Sequence, residues 1–227
     1  MEEKEFLENY NPADFERLSV AVDLLVFTME ENKLKIVLVE REEHPFQNKL
    51  SLPGVFVGME ETLDQAAIRG ITEETGLKYI YFEQLYTWGE IKRDPRMRVI
   101  SVSYIAIVDV GQIQLSAGAR TASVALYDVD ELLDSDVEIA FDHKKMIAYG
   151  RERIRNKIEY SNIAFEFLPE EFTLPELQRV YEVLLHKRLH KTSFRQKVEP
   201  LVEQTGQMKT GDAYRPSKYY RLKKGET

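Results

Sequence analysis

Apolar residues follow two regimes along this chain. Up to about residue 141 they come mostly in short runs; beyond it they recur at helical spacing. Ser19 to Met29 is a run rich in β-branched residues, and Leu34 to Glu40 is a second, joined through Glu30-Glu31-Asn32-Lys33. Both read as strands. Tyr79 to Leu85, Val99 to Val108 and Val124 to Tyr127 add three more, and the acidic segment Asp130 to Asp134 follows the last. Thr62 is placed to cap a helix that stops at Thr75-Gly76-Leu77. From Asp142 to Tyr160 the period becomes helical, with Met146, Ile147, Tyr149, Ile154 and Ile158 on one stripe. Thr173, with Pro175 and Glu176 behind it, opens another helix whose apolar face runs from Leu174 to Leu185. A tight turn at His190-Lys191 leads to a further helix, Phe194 to Glu203, capped by Thr192 or Ser193. Turn signals at Thr205-Gly206 and Thr210-Gly211-Asp212 then flank a hairpin that returns through Tyr219-Leu222. The expected architecture is an α/β sandwich, a mixed sheet with flanking helices, over residues 1–141. A linker helix over 142–160 and a winged helix-turn-helix over 161–227 complete it.

Charge divides at the same place. Residues 1–143 carry 28 Asp and Glu against 13 Lys and Arg, a net of −15; residues 144–227 carry 11 against 18, a net of +7. A basic C-terminal unit joined to an acidic N-terminal one implies that only the former meets a polyanion. There are no cysteines, which excludes disulfides, thiolate catalysis and Cys-based zinc sites. No apolar run approaches a membrane span. The start Met1-Glu2-Glu3-Lys4-Glu5 lacks the order of a signal peptide, so a cytoplasmic location is expected.

In a helix-turn-helix the second helix enters the major groove. Its outward residues here are Lys191, Thr192, Ser193, Arg195, Gln196 and Lys197. The Lys, Thr and Ser groups suit phosphates; Arg195 suits guanine and Gln196 adenine. Lys209, Arg215 and Lys218 line the expected wing. The competing reading is a basic face that docks an acidic protein.

The stretch Ala66-Ala67-Ile68-Arg69-Gly70-Ile71-Thr72-Glu73-Glu74-Thr75-Gly76-Leu77 resembles the core of the Nudix box, G-x5-E-x7-R-E-U-x-E-E-x-G-U with U apolar. Aligned from Gly76, Arg69 takes the Arg place, Glu73 and Glu74 the paired Glu places and Glu61 the upstream Glu place. Gly70 stands where the family carries a metal-binding Glu, and Val55 replaces the opening Gly. With the basic C-terminal unit, Arg93-Asp94-Pro95-Arg96, Phe141-Asp142-His143, Phe172 to Gln178 and Arg215 to Tyr220, the chain resembles the Nudix-related transcriptional regulators from about Ser19 to Leu222. The resemblance implies a Nudix-like sensor that does not hydrolyse, with no resident metal or cofactor. It also implies a winged helix on double-stranded operator DNA, and a homodimer.

The nearest branch by resemblance responds to L-arabinose. Gly58 and Met59-Glu60 depart from boxes that bind diphosphates, so a sugar effector is expected, with ADP-ribose as the alternative. Asp23, a lone charge in an apolar run, Arg41, Phe56, the single Trp88 and Lys92 are the candidates to line its site. Core packing for Trp88 and a structural salt bridge for Asp23 are the competing readings. A rival function is a Mg²⁺-dependent hydrolase of ADP-ribose or a related nucleoside diphosphate derivative, using Glu61, Glu73 and Glu74 with water in the missing place.

Overall fold

The computed structural model describes residues 2–75, 81–113, 115, 121–209 and 217–223. In chain order its elements are α1 (Glu3–Asn9), β1 (Ser19–Glu30), β2 (Lys33–Arg41), β3 (Leu50–Ser51), β4 (Gly54–Phe56), α2 (Leu63–Thr75), β5 (Tyr81–Trp88) and β6 (Val99–Ile107). Then follow β7 (Thr121–Asp128), α3 (Val129–Asp134), α4 (His143–Lys157), β8 (Phe172–Thr173), α5 (Leu174–Leu185), α6 (Lys191–Val198), β9 (Val202–Lys209) and β10 (Ser217–Leu222). Seven strands form a mixed sheet in the order β3-β2-β1-β6-β5, with β4 on β1 and β7 on β2. Among the strand pairings of the described residues, β1–β6 is parallel and the others in this sheet are antiparallel.

β1 organises this sheet because alternate side chains of a strand face opposite ways. Val22, Leu24 and Val26 pack with Ala66, Ala67 and Ile71 of α2. Leu25 and Phe27 pack on the other face with Met146 and Ile147 of α4. Asp23 shares that second face. α2 begins with a reciprocal cap: Gln65 N–H donates to Thr62 Oγ1 at 3.2 Å and Thr62 N–H donates to Gln65 Oε1 at 2.8 Å.

α4 is no free bridge. Its buried face joins the Nudix-side core to Phe165, Tyr181 and Phe194 in one apolar cluster. Gly150, rather than the expected Tyr149, completes the stripe: a Cβ there would meet Leu25 Cδ2 at 2.5 Å. Glycine is required for helix and strand to approach this closely. Tyr149 lies outside, 38% exposed.

In the C-terminal unit Thr173 caps α5 with a full capping box. Gln178 Nε2 donates to Leu189 O at 3.0 Å, and Leu189 N–H donates to Glu182 Oε1 at 2.9 Å. These two bonds fix the turn into α6. The turn carries α6 in at Lys191, with His190 in the capping position and neither Thr192 nor Ser193 as cap. The helix stops at Val198 rather than Glu203, because Pro200 cannot donate the next bond and the chain tightens into a 3-10 turn at Glu199–Leu201. Thr205-Gly206 is not a turn; it lies inside β9, where Gly206 at φ +83 absorbs the register shift against β10. β8 adds an unexpected third strand, and the acidic segment after β7 forms α3. Thr210-Gly211-Asp212 lies outside the described residues. Among those described, no helix is long and apolar enough to cross a membrane.

Candidate effector site and DNA-facing surface

A cavity of about 130 Å³ opens beside β1, β2 and β4, roofed by the loop between β5 and β6 and by the chain entering α4. Gly54 lets β4 close over Asp23: a Cβ there would lie 2.5 Å from Asp23 Oδ1 and 2.9 Å from Val22 O. Asp23 Oδ2 accepts from Ser101 Oγ at 2.5 Å and from Arg93 Nη2 at 3.2 Å. Arg93 also donates through Nε and Nη2 to Asp142, at 3.1 and 2.8 Å. This cluster is buried, so each charge depends on its partner. Leu52 N–H donates to His143 Nδ1 at 2.9 Å. The proton then belongs on Nε2, which faces Asp23 Oδ1 at 3.5 Å. Burial pushes the His143 pKa below its usual value, against the pull of Asp23.

Above this floor stand two more guanidiniums. Arg96 binds Asp94 through Nε and Nη2 at 3.0 and 2.7 Å. Its carbon lies 5.4 Å from the Phe56 ring and 5.8 Å from that of Phe141. Arg41 lies 5.0 Å over Phe141 and donates Nε to Pro45 O at 2.8 Å. Among the described residues it has no carboxylate within ion-pair distance. Its pKa falls through desolvation and then through the neighbouring Arg96, against the pull of Asp94, Glu43 and Asp23. Two cations over two phenyl rings, one of them without a direct ion pair, suit a ligand that is both anionic and aromatic.

Asp23, Arg41 and Phe56 therefore stand on the cavity wall. Trp88 does not: it lies on the edge strand β5, across β6 from the cavity, donating Nε1 to Ser103 Oγ at 2.9 Å and packing on Tyr86 and Tyr149. Lys92 is exposed outside the cavity. Arg93, Arg96, Phe141 and His143 were not among the candidates, although the Arg-Asp-Pro-Arg and Phe-Asp-His motifs contain them.

The Nudix box lies on the opposite side of β4. Arg69 donates to both oxygens of Glu61, at 3.0 and 2.6 Å, to Glu73 at 3.1 Å and to Phe56 O at 2.9 Å. With the Gly58 amide, Arg69 lowers the Glu61 pKa to about 2. Gly70 is buried, and a Cβ there would meet Val55 Cγ2 at 3.0 Å and Leu24 Cδ1 at 3.1 Å. A side chain at 70 would thus crowd these methyl groups from its first carbon, and Glu61 and Glu73 already serve an arginine. These residues do not fit the Mg²⁺ site of the family's box. The Glu74 side chain is outside the described residues, among which no three His, Cys, Asp or Glu gather as metal ligands.

On the second domain, Lys191, Thr192, Ser193, Arg195, Gln196 and Lys197 are all exposed, while Phe194 and Val198 point inward. Phe194 packs against Tyr181 with ring centroids 5.3 Å apart. Lys218 is exposed on β10; the Lys209 side chain and Arg215 lie outside the described residues. Lys187, Arg188 and His190 extend the exposed row through the turn. They were missed because the turn was not read as part of the face.

Residues 17–149 match the NUDIX domain, and residues 164–222 match the NrtR DNA-binding winged helix domain. A protein of Acinetobacter baylyi described as "ADPR responsive transcriptional repressor NtrR" is 32% identical over 97% of this chain and 88% of its own. The chain belongs to the NrtR family of Nudix-type regulators. Shewanella oneidensis NrtR complexed with a 27mer DNA superposes with TM-score 0.79 at 37% identity, covering 90% of this chain and 93% of that one. The NUDIX domain of the same NrtR, complexed with ADP ribose, is 35% identical with TM-score 0.62, over 68% of this chain and 99% of that one. The family assignment makes this chain a DNA-binding regulator with a Nudix sensor domain. The expected arabinose branch finds no support among these relatives, two of which carry ADP-ribose in their descriptions.

Proposed function

We propose that the protein is a transcriptional regulator whose non-hydrolysing Nudix domain binds ADP-ribose or a close nucleoside diphosphate relative in the arginine-lined cavity, and so sets the affinity of the winged helix for operator DNA. The observation that carries this reading is Arg41, a half-buried guanidinium without an ion-pair partner, standing with Arg96 over Phe141. A diphosphate supplies the missing charge through paired hydrogen bonds, and a base supplies a flat face for the rings. A neutral sugar would offer Arg41 no such charge-assisted bond. ADP-ribose binding to one family relative and the response named for another favour the same ligand. The exposed residues of α6 and β10 are the proposed DNA contacts, and the regulator acts as a homodimer in the cytoplasm. Hydrolysis is not part of the reading, because position 70 carries no carboxylate, its first carbon would crowd Val55 and Leu24, and Glu61 and Glu73 are engaged by Arg69.

Isothermal titration with ADP-ribose and with L-arabinose tests this. Wild type binds ADP-ribose, and Arg41→Ala weakens it by about 1.5–3 kcal/mol, roughly 10- to 100-fold, as expected for a hydrogen-bonded charge. Binding of arabinose alone, or ADP-ribose binding indifferent to Arg41→Ala, contradicts the assignment.

A further inference from the structure

Phe141, Asp142 and His143 are consecutive, and each meets the cavity in a different way. Phe141 is its aromatic wall, held at φ 56, where a bulky residue is strained, and both Arg41 and Arg96 lie over its ring. Asp142 sits behind the cavity and takes two donors of Arg93. His143 is the first residue of α4 and is fixed by the Leu52 amide and Asp23. A 15-residue helix starts on this anchor.

Further along, α4 is pinned. Gly150 presses on Leu25 and Phe27, so the helix cannot move closer to β1. Ile154 and Ile158 share a core with Phe165, Tyr181 and Phe194 of the DNA-binding unit. Arg151 donates to Asp130 Oδ1 at 2.8 Å, and Asp130 Oδ2 faces His186 Nε2 at 3.4 Å, just past the end of α5. Lys157, at the far end, donates to Tyr81 Oη at 3.0 Å and pairs with Glu83.

We propose that Phe141-Asp142-His143 is the element that passes occupancy of the cavity to the winged helix, with Asp142 as the positioning residue. The proposal rests on the ADP-ribose reading of the cavity. An anion seated on Arg41 and Arg96 draws both off the Phe141 ring and places negative charge beside Arg93, which competes with its hold on Asp142. Either change moves the peptide that begins α4. With Gly150 as a fixed contact, that movement becomes a tilt of the helix rather than a slide. The tilt reaches α5 and α6 through the shared core and the Arg151–Asp130–His186 contacts.

The test uses the full-length protein, a duplex selected by the protein from a random library, and ADP-ribose. DNA affinity is measured by fluorescence anisotropy with and without saturating ADP-ribose, ADP-ribose affinity by calorimetry, and folding by Tm. The ratio of the two DNA affinities is the coupling factor, about fivefold or more in wild type. Asp142→Asn keeps the shape and removes the charge; Asp142→Ser keeps a favourable capping residue and serves if the first does not fold. Either variant is expected to bind ADP-ribose and DNA separately while its coupling factor falls to near one. A wild-type coupling factor in a folded variant overturns the proposal and leaves the effector reading standing. A wild-type protein whose DNA affinity ignores ADP-ribose overturns both.

Discussion

The three-residue strand β4 separates two charged clusters that have opposite fates. On the α2 side, Arg69 gathers Glu61 and Glu73 near the surface, and Val55 and Leu24 pack close against Gly70. On the other side, Asp23, Arg93 and Asp142 are bound together in the interior, and Arg41 stands above them without a direct ion pair among the described residues. An arginine that satisfies its carboxylates at the surface leaves nothing for a ligand to supply. A buried cluster topped by a cation that makes no direct ion pair leaves room for one, and the proposed effector is the anion that would take it. The difference is one of burial and stoichiometry, not of residue type.

The largest effect that would separate the two clusters comes from their arginines. Arg93→Ala strands two buried carboxylates and is expected to cost about 3–5 kcal/mol in urea unfolding. Arg69→Ala breaks partly exposed pairs and is expected to cost far less. Equal losses would mean that the two clusters do not differ as described.

A smaller effect concerns the close packing at Gly70. Gly70→Glu overpacks the Val55–Leu24 contact and is expected to cost about 1–3 kcal/mol. In a Val55→Gly background the same substitution is expected to cost less, a coupling that a double-mutant cycle by thermal unfolding reads directly. Strict additivity would show that the two departures from the box are independent.

The smallest effect is a pH dependence. His143 has a folded pKa below its unfolded value of about 6.5, so its neutral form is the one the fold holds. Its contribution is fully present above about pH 6.5 and is lost as pH falls below that, when the unfolded chain gains a proton that the folded one resists. His143→Gln is expected to flatten this part of the stability profile in urea titrations. An unchanged slope below pH 6.5 would mean that the histidine is not held neutral.

These contrasts also mark what the chain discloses before folding. The strand β1 and its two faces are legible because eleven residues, Ser19 to Met29, carry one charge, and that charge, Asp23, proves to be a cavity residue. The cap at Thr62 and the capping box at Thr173 are legible because capping is local. The rest of the cavity is not, since Arg93 lies 70 residues from Asp23 and 49 from Asp142. No local period records such a closure. Trp88 misled for a related reason: rarity says nothing about which side of β6 a ring occupies. The start of α6 escaped because Glu182, seven residues before Leu189, sets it through a tertiary bond rather than through a capping side chain.

The central claim is that an anion in the arginine cavity governs the grip of the winged helix on DNA. Anisotropy titration of a selected duplex, with ADP-ribose added to wild type and to Arg41→Ala, tests it most directly. The account predicts that ADP-ribose shifts wild-type DNA affinity about fivefold or more, and that Arg41→Ala needs roughly 10- to 100-fold more ligand for the same shift. DNA affinity that stays constant in wild type at every ADP-ribose concentration would contradict it.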